Sequence, residues 1–181
     1  MDAVELLAHD HRMVEQLFRD YDSAASSTQK KGVVDILVRE LSKHAALEEL
    51  LVLPLAQKAL PDGRRRAQQQ LEEHLAVKNL LVRLDGASPD DAGTDELIRQ
   101  LQQEIGRHVE SQEGDLLPAL RAEVDQQALD ELGREVDEGK RTAPTRPHPH
   151  APDQPPVLTW AAPVAAIYDR MRDRLQGWPR T

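Results

Sequence analysis

Four segments of this chain carry apolar residues at three-and-four spacing, and each has one histidine within that apolar stripe. The spacing follows the 3.6-residue period of an α-helix, so each histidine points the way that must be buried. The first stripe is Val4, Leu7, His11, Val14, Phe18 and Tyr21, and the second is Leu37, Leu41, His44, Glu48, Leu51 and Leu55. The third runs Gln70, His74, Val77, Leu81, Leu84, and the fourth Leu97, Leu101, Ile105, His108, Gln112, Leu116. His9 falls about 200° around the first helix from His11 and is expected to face solvent.

Almost nothing in the chain alternates as a strand does, so it is predicted to be all-α. The helices are expected over residues 2–22, 29–60, 64–84 and 94–117, separated by the turn-forming clusters 23–28, 61–63 and 86–93. Pro54 is expected to bend the second helix and Pro118 to kink or end the fourth. Short connections favour antiparallel neighbours, which predicts an up-down-up-down four-helix bundle. A more polar fifth helix over 125–140 completes a domain of residues 1–140. Residues 141–181 read as an appendage: a proline-rich linker, then a short amphipathic tail helix with Trp160, Val164, Ile167, Met171 and Leu175 on one side. That tail, residues 157–178, is expected to dock on its own bundle or on a protein partner.

Composition narrows the chemistry. With no cysteine, any metal must be held by nitrogen and oxygen. Residues 141–181 carry a net charge of +3, which leaves −12 on residues 1–140 and no basic face for nucleic acid. The longest apolar run, residues 50–56, is too short to span a membrane and is broken by Pro54. The first residues lack a basic leader followed by an apolar stretch, so a cytoplasmic location is expected. Phosphate loops, dinucleotide fingerprints and a serine-histidine-aspartate order are not apparent.

A single histidine on an apolar face is ordinarily a satisfied core residue. Four of them, each away from its helix ends, can reach one level of an antiparallel bundle, and burying them with Glu48 and no partner would be costly. His44 and Glu48 lie one turn apart and can reach a single site. This pattern points to a metal. Imidazole mixed with carboxylate suits iron, manganese or zinc, and the geometry does not choose among them. His148 and His150 lie in the proline-rich linker without a rigid scaffold, so no second metal site is expected there.

Four stretches, LLAHDHRMVEQLF (6–18), HAALEELLVLP (44–54), EHLAVKNLLVRL (73–84) and HVESQEGDLLP (108–118), together resemble the hemerythrin-like proteins, the family of the His-His-Glu cation-binding domain. TRPHPHAPDQPP (145–156) is similar to the tail of bacterial members. The resemblance implies non-haem iron, two per chain with an oxo or hydroxo bridge, with His11, His44, His74 and His108 as ligands and Glu48 as bridging carboxylate. Glu49 is expected either behind the ligands or in solvent rather than on the metal.

The chain departs from the family pattern at three places. Gln70 stands where oxygen-carrying members have a further histidine, and Leu53 where many relatives carry a tyrosine. In the fourth helix the family often has glutamates four and five residues after the histidine, where this chain has Gln112 and Glu113. Ideal helical geometry turns Gln112 inward, about 40° from His108, and Glu113 about 140° away. Glu113 is nevertheless the expected ligand, because oxygen-carrying members use the five-residue spacing and a local distortion would let its long side chain reach in. Glu104 is the fallback. A site short of one imidazole suits reaction with hydrogen peroxide or nitric oxide better than stable carriage of dioxygen. The expected function is therefore in oxidative or nitrosative stress, as a sensor or a modest peroxide-consuming activity. The alternative is a metal-dependent interaction module signalling through the tail.

Overall fold

Three of the helices begin on side chains that satisfy their first backbone N–H groups, each such cap contributing about 1 kcal/mol. In the computed structural model, which describes residues 1–88, 91–150 and Asp169, α1 (Ala3–Ser23) starts at Asp2, whose carboxylate accepts from Glu5 N while Glu5 reaches back to Asp2 N. Ser26 caps α2 (Ser27–Leu47), and Asp125 caps α7 (Gln126–Gly139). Between them lie α3 (Leu53–Ala59), α4 (Gly63–Asp85), α5 (Ala92–Ser111) and α6 (Leu117–Glu123). No strand occurs among the described residues.

The second and fourth rods are unbroken helical runs, each widened once. A π turn at Glu48–Val52 joins α2 to α3, and another at Gln112–Leu116 joins α5 to α6. In each, a backbone N–H reaches back five residues, Leu53 to Glu48 and Leu117 to Gln112. Each π turn stops one residue short of a proline. A proline ring crowds the carbonyl four residues before it and donates no hydrogen bond, and one extra residue in the turn relieves both problems. Of the two outcomes expected at Pro118, an end or a kink, the helical run does not end there; it is distorted by the π turn just before the proline and continues to Glu123.

The apolar stripes pack into two clusters. One contains Val14, Phe18, Leu37, Leu41, Val77, Leu81, Leu101 and Ile105. The other contains Leu6, Leu7, Leu47, Val52, Leu71, Leu116, Leu120 and Val136. In α1 and α4 the second cluster comes first along the chain, whereas in α2 and α5 the first does. The rods therefore alternate in direction as an up-down-up-down four-helix bundle. Each histidine lies in its own helix between residues of the two clusters, so antiparallel packing brings all four to one polar layer.

Helix α7 closes one end, burying Leu129, Leu132 and Val136. The segment after it does not stand clear of the bundle. Ala143 joins the second cluster, Thr145 and Arg146 are buried, and Arg146 pairs with Asp85. Asp169 accepts hydrogen bonds from the backbone N–H groups of Thr145 and Arg146 and lies 3.0 Å from His148 Nε2. Apart from Asp169, the predicted tail helix over 157–178 lies outside the described residues. Among the described residues no helix is long and apolar enough to cross a membrane.

Candidate metal centre

Glu48 is fully buried at the centre of the polar layer. Its Oε1 lies 3.2 Å from His44 Nε2, and its Oε2 lies 2.9 Å from His74 Nε2 and 3.7 Å from His108 Nε2. The rings of His11, His44 and His108 stand 5.3 to 5.8 Å apart, with His74 5.1 Å from His108. One ligand atom from each of His11, His44, Glu48 and His108 falls within 4.8 Å of the others, a group that could hold a metal ion.

The inner nitrogens show that cations fit here. Nε2 of His11 and His108 are buried and make no hydrogen bond, and that of His44 has only the Glu48 carboxylate, 3.2 Å away. Leaving two such atoms unpaired beside a buried carboxylate is costly, and the cost would disappear if their lone pairs were shared with a cation. The nitrogen and oxygen donors present suit iron, zinc or manganese.

The outer nitrogens are engaged as well, each near a carboxylate from another helix. His11 Nδ1 lies 2.7 Å from Glu113 Oε1, His74 Nδ1 2.9 Å from Glu49 Oε1, and His108 Nδ1 3.3 Å from Glu73 Oε2. His44 Nδ1 sits 3.8 Å from Asp10 Oδ2, an ion-pair distance. A carboxylate on Nδ1 fixes the ring and leaves Nε2 free to bind metal. Two lysines complete the pattern: Lys78 Nζ lies 2.7 Å from Glu49, and Lys140 Nζ lies 2.6 Å from Asp10.

Burial pushes the imidazoles toward neutrality. His11 follows, down to about 4, with the charge on His44 adding to the effect. His108 is lowered for the same reason. For His44 burial acts in that direction too, but Glu48 and Asp10 outweigh it and raise the group to about 10. Glu48 and Glu49 likewise overcome burial and raise His74. Burial opposes the charge on Glu48, yet His44 and His74 hold it well below the usual carboxylate range. The upward shifts of His44 and His74 and the downward shift of Glu48 favour opposite charges across these contacts, a balance that a cation held there would also supply.

The six residues singled out as ligands fall into two groups. His11, His44, Glu48, His74 and His108 converge on the polar layer. Glu113 is partly exposed and meets the outer nitrogen of His11. Its neighbour Gln112 takes the fully buried position, donating from Nε2 to Glu48 Oε1 at 2.8 Å and to Gln70 Oε1 at 3.2 Å. Gln70 donates in turn to Ser111 Oγ. Glu104 pairs with Arg107. Asp10, Glu73, Lys78 and Lys140 were not singled out from the sequence.

One sequence signal would have found the two acids: the chain repeats itself. His11 and His74 are 63 residues apart, as are Asp10 and Glu73. His44 and His108 are 64 apart, as are Glu48 and Gln112, Glu49 and Glu113, Leu53 and Leu117, and Pro54 and Pro118. The Nδ1 partners obey the same correspondence, so the site consists of two matching halves.

An antiparallel four-helix bundle with a buried layer of imidazoles around a carboxylate defines a helical cation-binding domain. The family described as the hemerythrin HHE cation binding domain matches residues 2–120, and this chain belongs to it. An uncharacterized hemerythrin-like protein of Schizosaccharomyces pombe is 26% identical over 94% of this chain and 84% of its own length. A DNA nickase of Nostoc is 22% identical over 77% of this chain, which spans only 39% of that protein. The crystal structure of a hemerythrin HHE cation binding domain-containing protein from Mycobacterium kansasii has the same fold. It superposes with a TM-score of 0.66 at 22% identity, covering 78% of this chain and 86% of that one.

Proposed function

We propose that this chain is a non-haem di-iron protein that reacts with or senses dioxygen, hydrogen peroxide or nitric oxide in the cytoplasm. The observation that carries the reading is the convergence of buried ligand atoms from His11, His44, His108 and Glu48 within 4.8 Å of one another, with Nε2 of His11 and His108 lacking any hydrogen-bond partner. Glu48 offers Oε1 toward His44 and Oε2 toward His74 and His108, the disposition of a carboxylate shared between two cations. When bound, the irons would supply the electrons for reducing a small oxidant. The protein's own part is to fix the imidazoles through Asp10, Glu49, Glu73 and Glu113, and to keep bulk water out with the apolar clusters on either side. Gln70, in place of a further histidine, leaves the site one strong ligand short, which favours reactive chemistry over reversible carriage.

A second reading, a metal-dependent interaction module, draws on Lys140. That residue follows α7, beyond the matched residues 2–120, yet it reaches Asp10 beside His44.

The test is metal content after growth in excess iron, with visible spectra recorded after anaerobic reduction and again after air, peroxide or nitric oxide. About two irons per chain, with a spectrum that changes on oxidant and disappears in His44→Ala, is expected. Stoichiometric zinc alone, or no metal after reconstitution with iron, would overturn the proposal.

A further inference from the structure

The two halves of the site match at every ligand and every Nδ1 partner except one. Where the first half has Glu48, the second has Gln112, and both are fully buried. The amide cannot stand in for a carboxylate. Its Nε2 is committed to Glu48 and Gln70, which fixes the orientation of the group, because turning Oε1 toward Glu48 would set two acceptors against each other. The Oε1 left over is buried and has no hydrogen-bond partner. It is a neutral atom that could donate a lone pair to a cation. Glu48 must therefore serve both halves, and the half containing His74 and His108 has no carboxylate of its own at this level.

We infer that Gln112 makes the site unequal: one cation is held tightly by the converging group of His11, His44, Glu48 and His108, and a second binds weakly, because the second half offers a neutral amide where the first offers Glu48. The inference rests on the metal-binding reading above and goes beyond it by assigning an affinity order to the two positions. Cation affinity at an oxygen-containing site rises with the charge of its ligands, and the single carboxylate they share is already neutralised by the first cation, so the second position fills last. A protein built this way holds its first metal under scarcity and takes its second only when metal is abundant. Occupancy of the second position then reports metal availability.

Zinc, which has no redox chemistry of its own, is the probe. Titration of the metal-free full-length chain with zinc, followed by calorimetry and by thermal unfolding, is expected to show two steps separated by at least about tenfold in affinity. In Gln112→Glu the second step should strengthen by at least about tenfold while the first changes little. Refolding that variant with zinc present offsets the repulsion between the new carboxylate and Glu48. Should it still not fold, the wild-type isotherm decides. Two wild-type steps of equal affinity, or an unchanged second step in Gln112→Glu, would overturn the inference and leave the metal-binding reading standing. Failure of any zinc to bind would overturn both.

Discussion

Glu49 stands between His74 and Lys78: its Oε1 is 2.9 Å from His74 Nδ1 and 2.7 Å from Lys78 Nζ, and the carboxylate is buried. Removing its charge while keeping its shape, as in Glu49→Gln, replaces the charged acceptor that orients His74 toward Glu48 with a weaker neutral one. Metal affinity should fall by about 10- to 100-fold, as is usual when a carboxylate behind a ligating imidazole is lost. Competition against a chelator of known affinity measures this. Affinity unchanged within error would show that the contact does not orient the ring.

Lys140 makes a parallel contact from a different part of the chain, bonding Asp10 Oδ1 at 2.6 Å while Asp10 Oδ2 faces His44. Replacing Lys140 by methionine leaves the buried Asp10 charge without its cation. The expected result is several-fold weaker metal binding, restored by Lys140→Arg, with a loss of stability of about 1–3 kcal/mol in urea denaturation. If methionine and arginine behave alike in the chelator competition, the link from α7 to the site is packing alone.

The bundle and four of its inward histidines were legible because helical periodicity is a local property, and because antiparallel packing then leaves a midlevel residue little choice of depth. The carboxylates behind the rings were harder to see. Asp10 and Glu73 immediately precede His11 and His74, but neighbouring residues on a helix point about 100° apart, so each acid serves a histidine on an adjacent helix, His44 and His108. No single-helix stripe shows that pairing. The π turns were equally hidden, since the extra residue depends on a proline ring several positions on. They also bear on the fourth helix. A distortion after His108 was anticipated, but the structure couples it to a buried Gln112 and to a Glu113 that reaches His11 from outside.

Gly133 shows how tightly α7 sits on the start of the chain. A Cβ there would lie 2.7 Å from Met1 O and 2.8 Å from Asp2 C, both backbone atoms. Helix propensity alone would make Gly133→Ala stabilising by up to about 1 kcal/mol. The clash reverses the sign, and a net loss of about 1–3 kcal/mol is expected from overpacking. Hydrogen exchange should locate that loss in α7 and the first turn of α1. A stabilised variant would mean that α7 docks more loosely than described.

Asp2 ties three elements together at that same end. Its carboxylate accepts from the Glu5 backbone N–H of α1 at 3.0 Å, from Arg121 Nη2 of α6 at 3.0 Å and from Gln126 Nε2 of α7 at 3.0 Å, with Arg121 Nη1 at an ion-pair distance of 2.9 Å. Burial would raise its pKa, but these donors outweigh burial and hold it below the ordinary 3.8. A carboxyl group whose folded pKa is depressed binds its proton more readily in the unfolded chain. Its contribution is therefore fully present above about pH 4 and is lost as pH falls through the lower, folded value. Asp2→Asn removes the charge but keeps the size, so at neutral pH it should cost about 1–3 kcal/mol. The difference from wild type should shrink as the solution is acidified below about pH 4, while the many other carboxylates cancel in the comparison. Urea denaturation of both proteins between pH 3 and pH 7 gives the two curves. Parallel curves across that range would show that the Asp2 charge is not what joins α1, α6 and α7.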